Sequence, residues 1–574
     1  MARADGTRLK LGAHAIVDAF ERHEIERLYV FPGGTIAPVF DEAVARGIEI
    51  FTARHEQGAG YAALAAARIT GRPQVAMVTS GPGVTNIVTA VADGYFDSTP
   101  LVVLTGQVGT GDMRGERPVR QRGFQEVDAV ALMRPITKAQ FLPLTPDELA
   151  IAIEDAFEAA MEGRPGPVLV DMPMNVQRGE LSESERPVAR RAPGHSAAVD
   201  GAVVEEIAAR VAAARRPVII AGQGVLLSHA QEELRRLAFG RRIPVSHSLL
   251  GLGAIPSEHE LALGFHGHTG NQYAGRAIHG ADLILAVGSR LDVRQTGTET
   301  AEFAPEATVV RIELDPGELE HSRVRVDIAL QADCRVALAA LNDRLEALDV
   351  PDLGPWLEQI GAWRREFALA VERGEPLKPQ NVVATANRLT AGRDLIVTTG
   401  VGSHQHWVAR HFDFDFPRRQ LLTSGGHGAM GYDVPSAVGA KLADPDRTVL
   451  CFVGDGSLQM NIQELASIVA HELAIKIIVL DNNRLGIVSQ FQLLNWGSDP
   501  TCGDKWNPDF AAIAAAYGIR SWTVADDAQL EPAIAELLES PVAGLVHCHI
   551  DPGEDIVPML LGGQTMDRMW PNDG

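Results

Sequence analysis

Short apolar runs alternate along this chain with stretches of helical period. Val449-Leu450-Cys451-Phe452-Val453 is a continuous apolar run, the pattern of a strand buried on both faces. Gly454-Asp455-Gly456-Ser457 then turns the chain. From Met460 to Glu472 the spacing predicts a helix with Ile462, Leu465, Ile468 and Val469 on one face. A second apolar run, Ile475 to Leu480, ends in Asp481-Asn482-Asn483. Strand, turn, helix and strand make a βαβ unit, so the strands are parallel and both loops open at one sheet edge.

The same grammar recurs on both sides. Residues 1–182 carry apolar runs at 27–31, 51–54, 74–78, 101–104 and 168–170, an amphipathic helix near 13–23 and an Ala-rich helix through Arg68. This is a doubly wound α/β domain. Residues 183–198 are polar and Pro-containing and read as a linker. A second α/β domain spans 199–345, with runs at 218–221, 283–287 and 309–312. A connector at 346–378, a third domain at 379–552 and a tail at 553–574 complete the chain. The predicted fold is α/β, with three doubly wound parallel-sheet domains.

Composition narrows the partners. Of 574 residues, 46% are hydrophobic and 22% charged, as in globular proteins, and the formal net charge is −23. That excess argues against nucleic acid or an anionic membrane as the main partner. Four scattered cysteines make no CxxC pair, and no signal peptide or apolar run of about 20 residues is read, so a cytoplasmic location is expected. His547-Cys548-His549 puts two imidazoles on one strand face but shows no third metal ligand.

The two loops of the βαβ unit carry chemistry. Asp455 offers a hard carboxylate oxygen and Asn482 an amide oxygen 482 − 455 = 27 residues on, one crossover away. The glycines Gly454 and Gly456 let backbone N–H groups approach an anion. Mg²⁺ takes one or two protein oxygens and completes its shell with phosphate and water, so the pattern reads as a Mg²⁺–diphosphate site. A Gly-Asp-Gly turn alone is only a turn; the second ligand at the next strand end carries the reading.

GDGS, the helix and Asp-Asn-Asn resemble the thiamin diphosphate (ThDP) motif, and the surroundings are similar to the acetohydroxyacid (acetolactate) synthase large subunits. The resemblance implies Mg²⁺ held by Asp455, Asn482 and the backbone carbonyl of Arg484. It implies cofactor contacts from Gly33, Gly34, Ser80, Val401, Gly402, Gly428, Met430, Gly454, Gly456, Ser457 and Leu485. Glu56, in Arg54-His55-Glu56-Gln57-Gly58-Ala59, is the implied catalytic carboxyl that holds the aminopyrimidine ring; alone it would read as a helix-dipole partner. Gln107, Phe124 and Gln125 match catalytic-side positions, and the active site is implied to form between subunits of a homodimer or homotetramer, with a small regulatory subunit as a further partner. The middle domain resembles an FAD site, non-redox in this family, through Gly222, Gly224, Leu249, Arg290 and Asp315.

Departures from the family pattern lie on the substrate side. Phe491 replaces a tryptophan, Val293 an aspartate and His406 a methionine, while Arg294 remains as the carboxylate contact. His427 stands at a leucine position and Asp433 at that of a small residue. His427 either meets a hydroxylated acceptor or relays a proton, or it pairs with Asp433 or backbone. The implied reaction is decarboxylation of a 2-keto acid, pyruvate first, and carboligation to a second carbonyl. The alternatives are a keto-sugar or aldehyde acceptor, or simple 2-keto acid decarboxylation.

Overall fold

A computed structural model of the chain describes residues 10–182, 199–349, 351–500, 502 and 506–571. The predicted linker at 183–198 lies outside the described residues. The apolar runs become three six-stranded sheets, and every recorded pairing in them is parallel. The first sheet holds β1 (Arg27–Phe31), β2 (Glu49–Thr52), β3 (Gln74–Val78), β4 (Leu101–Gln107), β5 (Ala139–Phe141) and β6 (Pro167–Pro173). The second holds β7 (Pro217–Ala221), β8 (Val245–His247), β9 (Ala262–Phe265), β10 (Leu283–Val287), β11 (Thr308–Glu313) and β12 (Ile328–Gln331). The third holds β13 (Leu395–Thr399), β14 (Arg419–Thr423), β15 (Thr448–Gly454), β16 (Lys476–Asp481), β17 (Arg520–Val524) and β18 (Gly544–His549).

The first sheet runs β2-β1-β3-β4-β6-β5 and the third β14-β13-β15-β16-β18-β17, the same order twice. The second runs β12-β11-β10-β7-β8-β9, the doubly wound dinucleotide-binding order. Ligands bind such sheets where the order reverses, beyond the carboxyl ends of the strands. Those points lie between β1 and β3, between β7 and β10, and between β13 and β15. Gly33, Ser80, Gly222, Arg290, Val401 and Gly456, singled out above, lie in the loops that follow these six strands.

Helix α1 (Glu56–Thr70) of the first domain crosses helix α2 (Asp433–Ala443) of the third, the most extensive helix–helix contact of the described chain. A Cβ on Gly439 would stand 1.9 Å from the Ala62 carbonyl oxygen, so only glycine allows this approach. Tyr29, Leu64 and Val84 pack in one buried cluster with Ala437, Val453 and Ile477, so the two domains share a core.

Two expectations change. The helix read over 460–472 is broken into Asp455–Met460, a 3-10 turn and Leu465–Ala470. Asn461 interrupts it because its side chain donates to the Gly431 carbonyl (2.7 Å) and Gln57 (2.9 Å). The connector contains a helix, Gly354–Glu366, whose Trp356 and Ile360 complete the middle-domain core and whose Trp356 indole donates to the Pro217 carbonyl (3.2 Å).

Candidate active site

The register Gly454↔Leu480 sets the ends of β15 and β16 side by side and brings Asp455 next to Asp481. Asn507 bridges them, donating to Asp455 Oδ2 (2.6 Å) and Asp481 Oδ1 (2.7 Å). Burial pushes the Asp455 carboxyl up to about 6, Asn507 opposes that, and Asp481 adds to it. Asn482 is buried beside them, and its Oδ1 accepts from the Arg484 N–H at 3.3 Å. A Cβ on Gly456 would meet Leu485 at 2.6 Å and Met430 at 3.3 Å; one on Gly454 would meet His404 Nδ1 at 2.8 Å. Hard oxygens, a carboxylate desolvated beside a second one, and a loop of close-fitting glycines suit a divalent cation with a diphosphate.

The opposite wall comes from β13 and α2. Val401 and Gly402 follow β13, with Gly402 at φ +148°. Gly428 lies at φ +76°, and its N–H donates to Ser424 Oγ (3.1 Å). Ser457 Oγ accepts from Gly431 N–H (2.8 Å) and donates to Asp433. Asp433 is buried and also meets His404 Nε2 (2.8 Å) and the Gly400 N–H. Of the alternatives left open for His427, pairing with Asp433 is not made: His404 holds Asp433. His427 is exposed and stacks on Phe96, with ring centroids 5.6 Å apart and 14° between planes. The loop carrying His427 hangs from the first domain, where Asp97 accepts from the Gly425 (2.8 Å) and Gly426 (2.6 Å) N–H groups and pairs with Arg68 (2.7 Å).

In the first domain, Glu56 is buried at the start of α1, and its Oε2 accepts from Asn86 Nδ2 (2.9 Å). Its Oε1 lies 3.6 Å from where a Gly83 Cβ would stand. Ser80 is buried, its N–H donating to Thr35 Oγ1 (3.0 Å) and its hydroxyl unpartnered. Gly33 abuts Thr79, while Gly34 has open space where a Cβ would be. Gln107 is buried at the end of β4. Its Nε2 donates to Asp171 (2.9 Å) and to the Val127 carbonyl (2.8 Å), and its Oε1 accepts from Val108 N–H (2.9 Å), so it braces the loop from within. Phe124 is 85% exposed, and Gln125 beside it takes φ +63°. Phe491 is exposed on the helix after Asn482 and meets Trp496 edge-on.

A cavity of about 440 Å³ runs from the reversal point of the middle sheet to the His427 loop. Gly224, Leu249 and Arg290 line it. Gly222 instead packs under the cavity, where a Cβ would strike the Gly288 carbonyl at 2.1 Å. Asp315 accepts from Gly317 N–H (2.9 Å) and pairs with Arg164 (3.2 Å), and Arg164 and Glu313 line the cavity beside it. Arg294 lines the third-domain side together with Val401, His406 and His427. The volume falls in the range of small-molecule sites, and its place at a sheet reversal suits a dinucleotide.

Sequence reading missed Asn507 and the Asp433–His404 pair, which have no motif of their own. It also left His547 and His549 without a third neighbour. Asp481 supplies one, its carboxylate and the two imidazoles lying within 4.8 Å of one another, with His547 Nε2 at 2.8 Å from Asp481 Oδ2.

Three α/β units, with a cation-and-diphosphate cradle in one and a buried glutamate in another, define a cofactor-dependent enzyme. The thiamine pyrophosphate enzyme families match in order: the N-terminal TPP binding domain over residues 10–132, the central domain over 204–341 and the C-terminal TPP binding domain over 400–548. The chain is 37% identical to the acetolactate synthase isozyme 1 large subunit of Escherichia coli (strain K12), covering 97% of each. It is 36% identical to the chloroplastic acetolactate synthase of Arabidopsis thaliana, over 98% of this chain and 85% of that one. The chain belongs to the thiamine pyrophosphate enzymes, within the family of the acetolactate synthase large subunits.

Proposed function

We propose that the enzyme uses ThDP and Mg²⁺ to decarboxylate a 2-keto acid, pyruvate first, and joins the two-carbon unit to a second carbonyl. The observation that carries this reading is the cradle itself: buried Asp455 and Asn482 at adjacent strand ends, with Gly454 and Gly456 closing on His404, Leu485 and Met430. The names of the relatives support the carboligase assignment. Bound ThDP supplies a thiazolium carbon that adds to a keto group and holds the electron pair left when CO₂ departs. Asp455, Asn482 and the Arg484 carbonyl would hold Mg²⁺. Gly402, Gly428 and Met430 would seat the ring system. Glu56, oriented by Asn86, would share a proton with the ring nitrogen of the aminopyrimidine.

The cavity of the middle domain would take FAD along Gly224, Leu249 and Arg290, where it does no net redox work. Exposed Phe124, Phe491, Trp496 and Trp506 are the surface expected of a homodimer or homotetramer whose sites lie between subunits. A small regulatory subunit is a further partner, and the cytoplasm is the proposed location; no helix among the described residues is long and apolar enough to cross a membrane.

A second reading keeps the donor and changes the acceptor to a keto-sugar or aldehyde. The imidazole of His427, exposed beside the cavity, favours it. Mass-spectrometric analysis of products from pyruvate, ThDP, Mg²⁺ and FAD decides. Acetolactate supports the first reading, and acetaldehyde with CO₂ points to simple decarboxylation or a missing acceptor. A Glu56→Gln enzyme that turns over normally refutes both.

A further inference from the structure

The two imidazoles at the end of β18 have no part in the proposed reaction. His547 and His549 are two residues apart on the strand, so both point to one face of the sheet and buried Cys548 between them to the other. The parallel register sets Asp481, the last residue of β16, beside His549, and Val479 beside His547. Asp481 Oδ2 thereby lies 2.8 Å from His547 Nε2 and 3.9 Å from His549 Nδ1. One ligand atom of each residue lies within 4.8 Å of the other two.

An aspartate–histidine ion pair accounts for only part of this. It explains the short contact to His547 but not His549, whose side chain is 52% exposed and has water available to it. That ring instead lies against His547, with centroids 4.2 Å apart and planes 49° apart, tilted rather than stacked. A separation of 3.9 Å is too long for a hydrogen bond. It fits an ion, because bonds of about 2.0–2.2 Å put neighbouring ligand atoms about 3–4 Å apart. The outer atoms of the ligands are also held as a metal site requires. Asp481 Oδ1 accepts from Asn483 N–H (2.9 Å) and from Asn507 (2.7 Å), which leaves Oδ2 turned to the imidazoles. His547 Nδ1 is buried without a hydrogen bond and lies 3.8 Å from Asp509 Oδ1, a carboxylate placed to take the outer N–H of a metal-bound ring. The exposure of His549 gives an ion its path in and leaves room for water as a further ligand.

We propose that Asp481, His547 and His549 form a second divalent-metal site, of the zinc class, separate from the cation-and-diphosphate cradle. Two imidazoles and one carboxylate suit Zn²⁺ and Co²⁺, whereas the Mg²⁺ proposed for Asp455 and Asn482 takes oxygen ligands. The ion clamps the carboxyl end of β16 to that of β18. Asn507, which holds Asp481 Oδ1, also donates to Asp455 Oδ2 (2.6 Å), so the clamp braces one wall of the cradle without entering it.

The test takes the full chain, freed of metal by chelation and then saturated with ThDP and excess Mg²⁺, and titrates it with Co²⁺. The expected result is one cobalt per chain with a Kd of about 1 μM or tighter, the intense visible absorption of a four- or five-coordinate imidazole site, and displacement by Zn²⁺. Zn²⁺ also raises Tm, because only the folded chain assembles the three ligands. His549→Ala, at an exposed position, weakens cobalt binding at least about tenfold and removes the rise in Tm, and His549→Gln, which keeps the bulk of the side chain, does the same. Only the weak absorption of cobalt among six oxygen ligands, which places the ion in the Mg²⁺ cradle, overturns the proposal, and so does a titration that is the same in His549→Ala. The readout needs no substrate, so failure of the carboligase reading leaves it standing.

Discussion

Asp433 Oδ1 lies 2.8 Å from His404 Nε2, deep beneath the cofactor cradle, while the other ring nitrogen of His404 is pressed against Gly454 and Gly402. The carboxylate also accepts from the Gly400 N–H and the Ser457 hydroxyl, so one side chain ties the loop after β13 to the loop after β15. Replacing it by alanine leaves His404, the Gly400 N–H and the Ser457 hydroxyl unpaired. Asp433→Ala is expected to destabilise the fold by about 3 kcal/mol and to weaken ThDP binding at least about tenfold. Thermal melting and titration of ThDP by quenching of intrinsic fluorescence measure both; unchanged ThDP affinity would remove the positioning role.

Glu56→Gln keeps the shape of the side chain and its contact with Asn86 but removes the proton-sharing group. Turnover of pyruvate should fall by about 10²–10⁴-fold, with ThDP still bound. Single-turnover CO₂ release from the cofactor-loaded variant is the measurement. A loss of ThDP binding equal to the loss of rate would mean that Glu56 only shapes the pocket.

Asp97 holds the His427 loop through two backbone N–H groups and Arg68. Asp97→Ala strips three charge-assisted bonds and leaves Arg68 buried without its carboxylate. A cost of about 3–5 kcal/mol is expected, together with faster hydrogen exchange at 424–428. Exchange confined to other segments would show that the loop is held by something else.

Burial raises the Asp171 carboxyl to about 7, although Thr105 and Gln107 both donate to it. The folded chain therefore binds a proton that the unfolded chain, with an ordinary aspartate near 3.8, has released over the window between the two values. The stability this group contributes is full below about pH 4 and is lost as pH rises through 7. Asp171→Asn should flatten the fall of Tm between pH 5 and 7. An unchanged slope would assign that fall to other groups.

Much of this was legible in the sequence because it depends on local rules. Apolar runs located ten of the eighteen strands among the described residues, and the reversal points fall on Gly33, Gly222, Val401 and Gly454, whose loops were read directly. What stayed hidden depends on approach across long sequence distances. Asn507 touches Asp455 only because a loop folds back over the strand ends. Asp433 and His404 are neighbours only once β13 and β14 pair in register. Asn461 looks like a helix residue until Gln57, from another domain, captures its side chain. The partners of Gln107 and Asp315 stayed hidden for the same reason: a buried carboxylate in one case and Arg164 in the other hold the side chain.

The crossing of α1 over α2 sets a schedule for synthesis. The Ala-rich face of α1 is finished at Thr70, but the surface that covers it begins at Asp433, 433 − 70 = 363 residues later. At about 5–20 residues per second the ribosome needs about 20–70 s to cover that distance. For that time the first domain presents an apolar helix with no partner, beside a carbonyl at Ala62 shaped to receive Gly439. The nascent chain must be shielded over this interval, and expression at lower translation rate without added chaperone should lower its soluble yield rather than raise it.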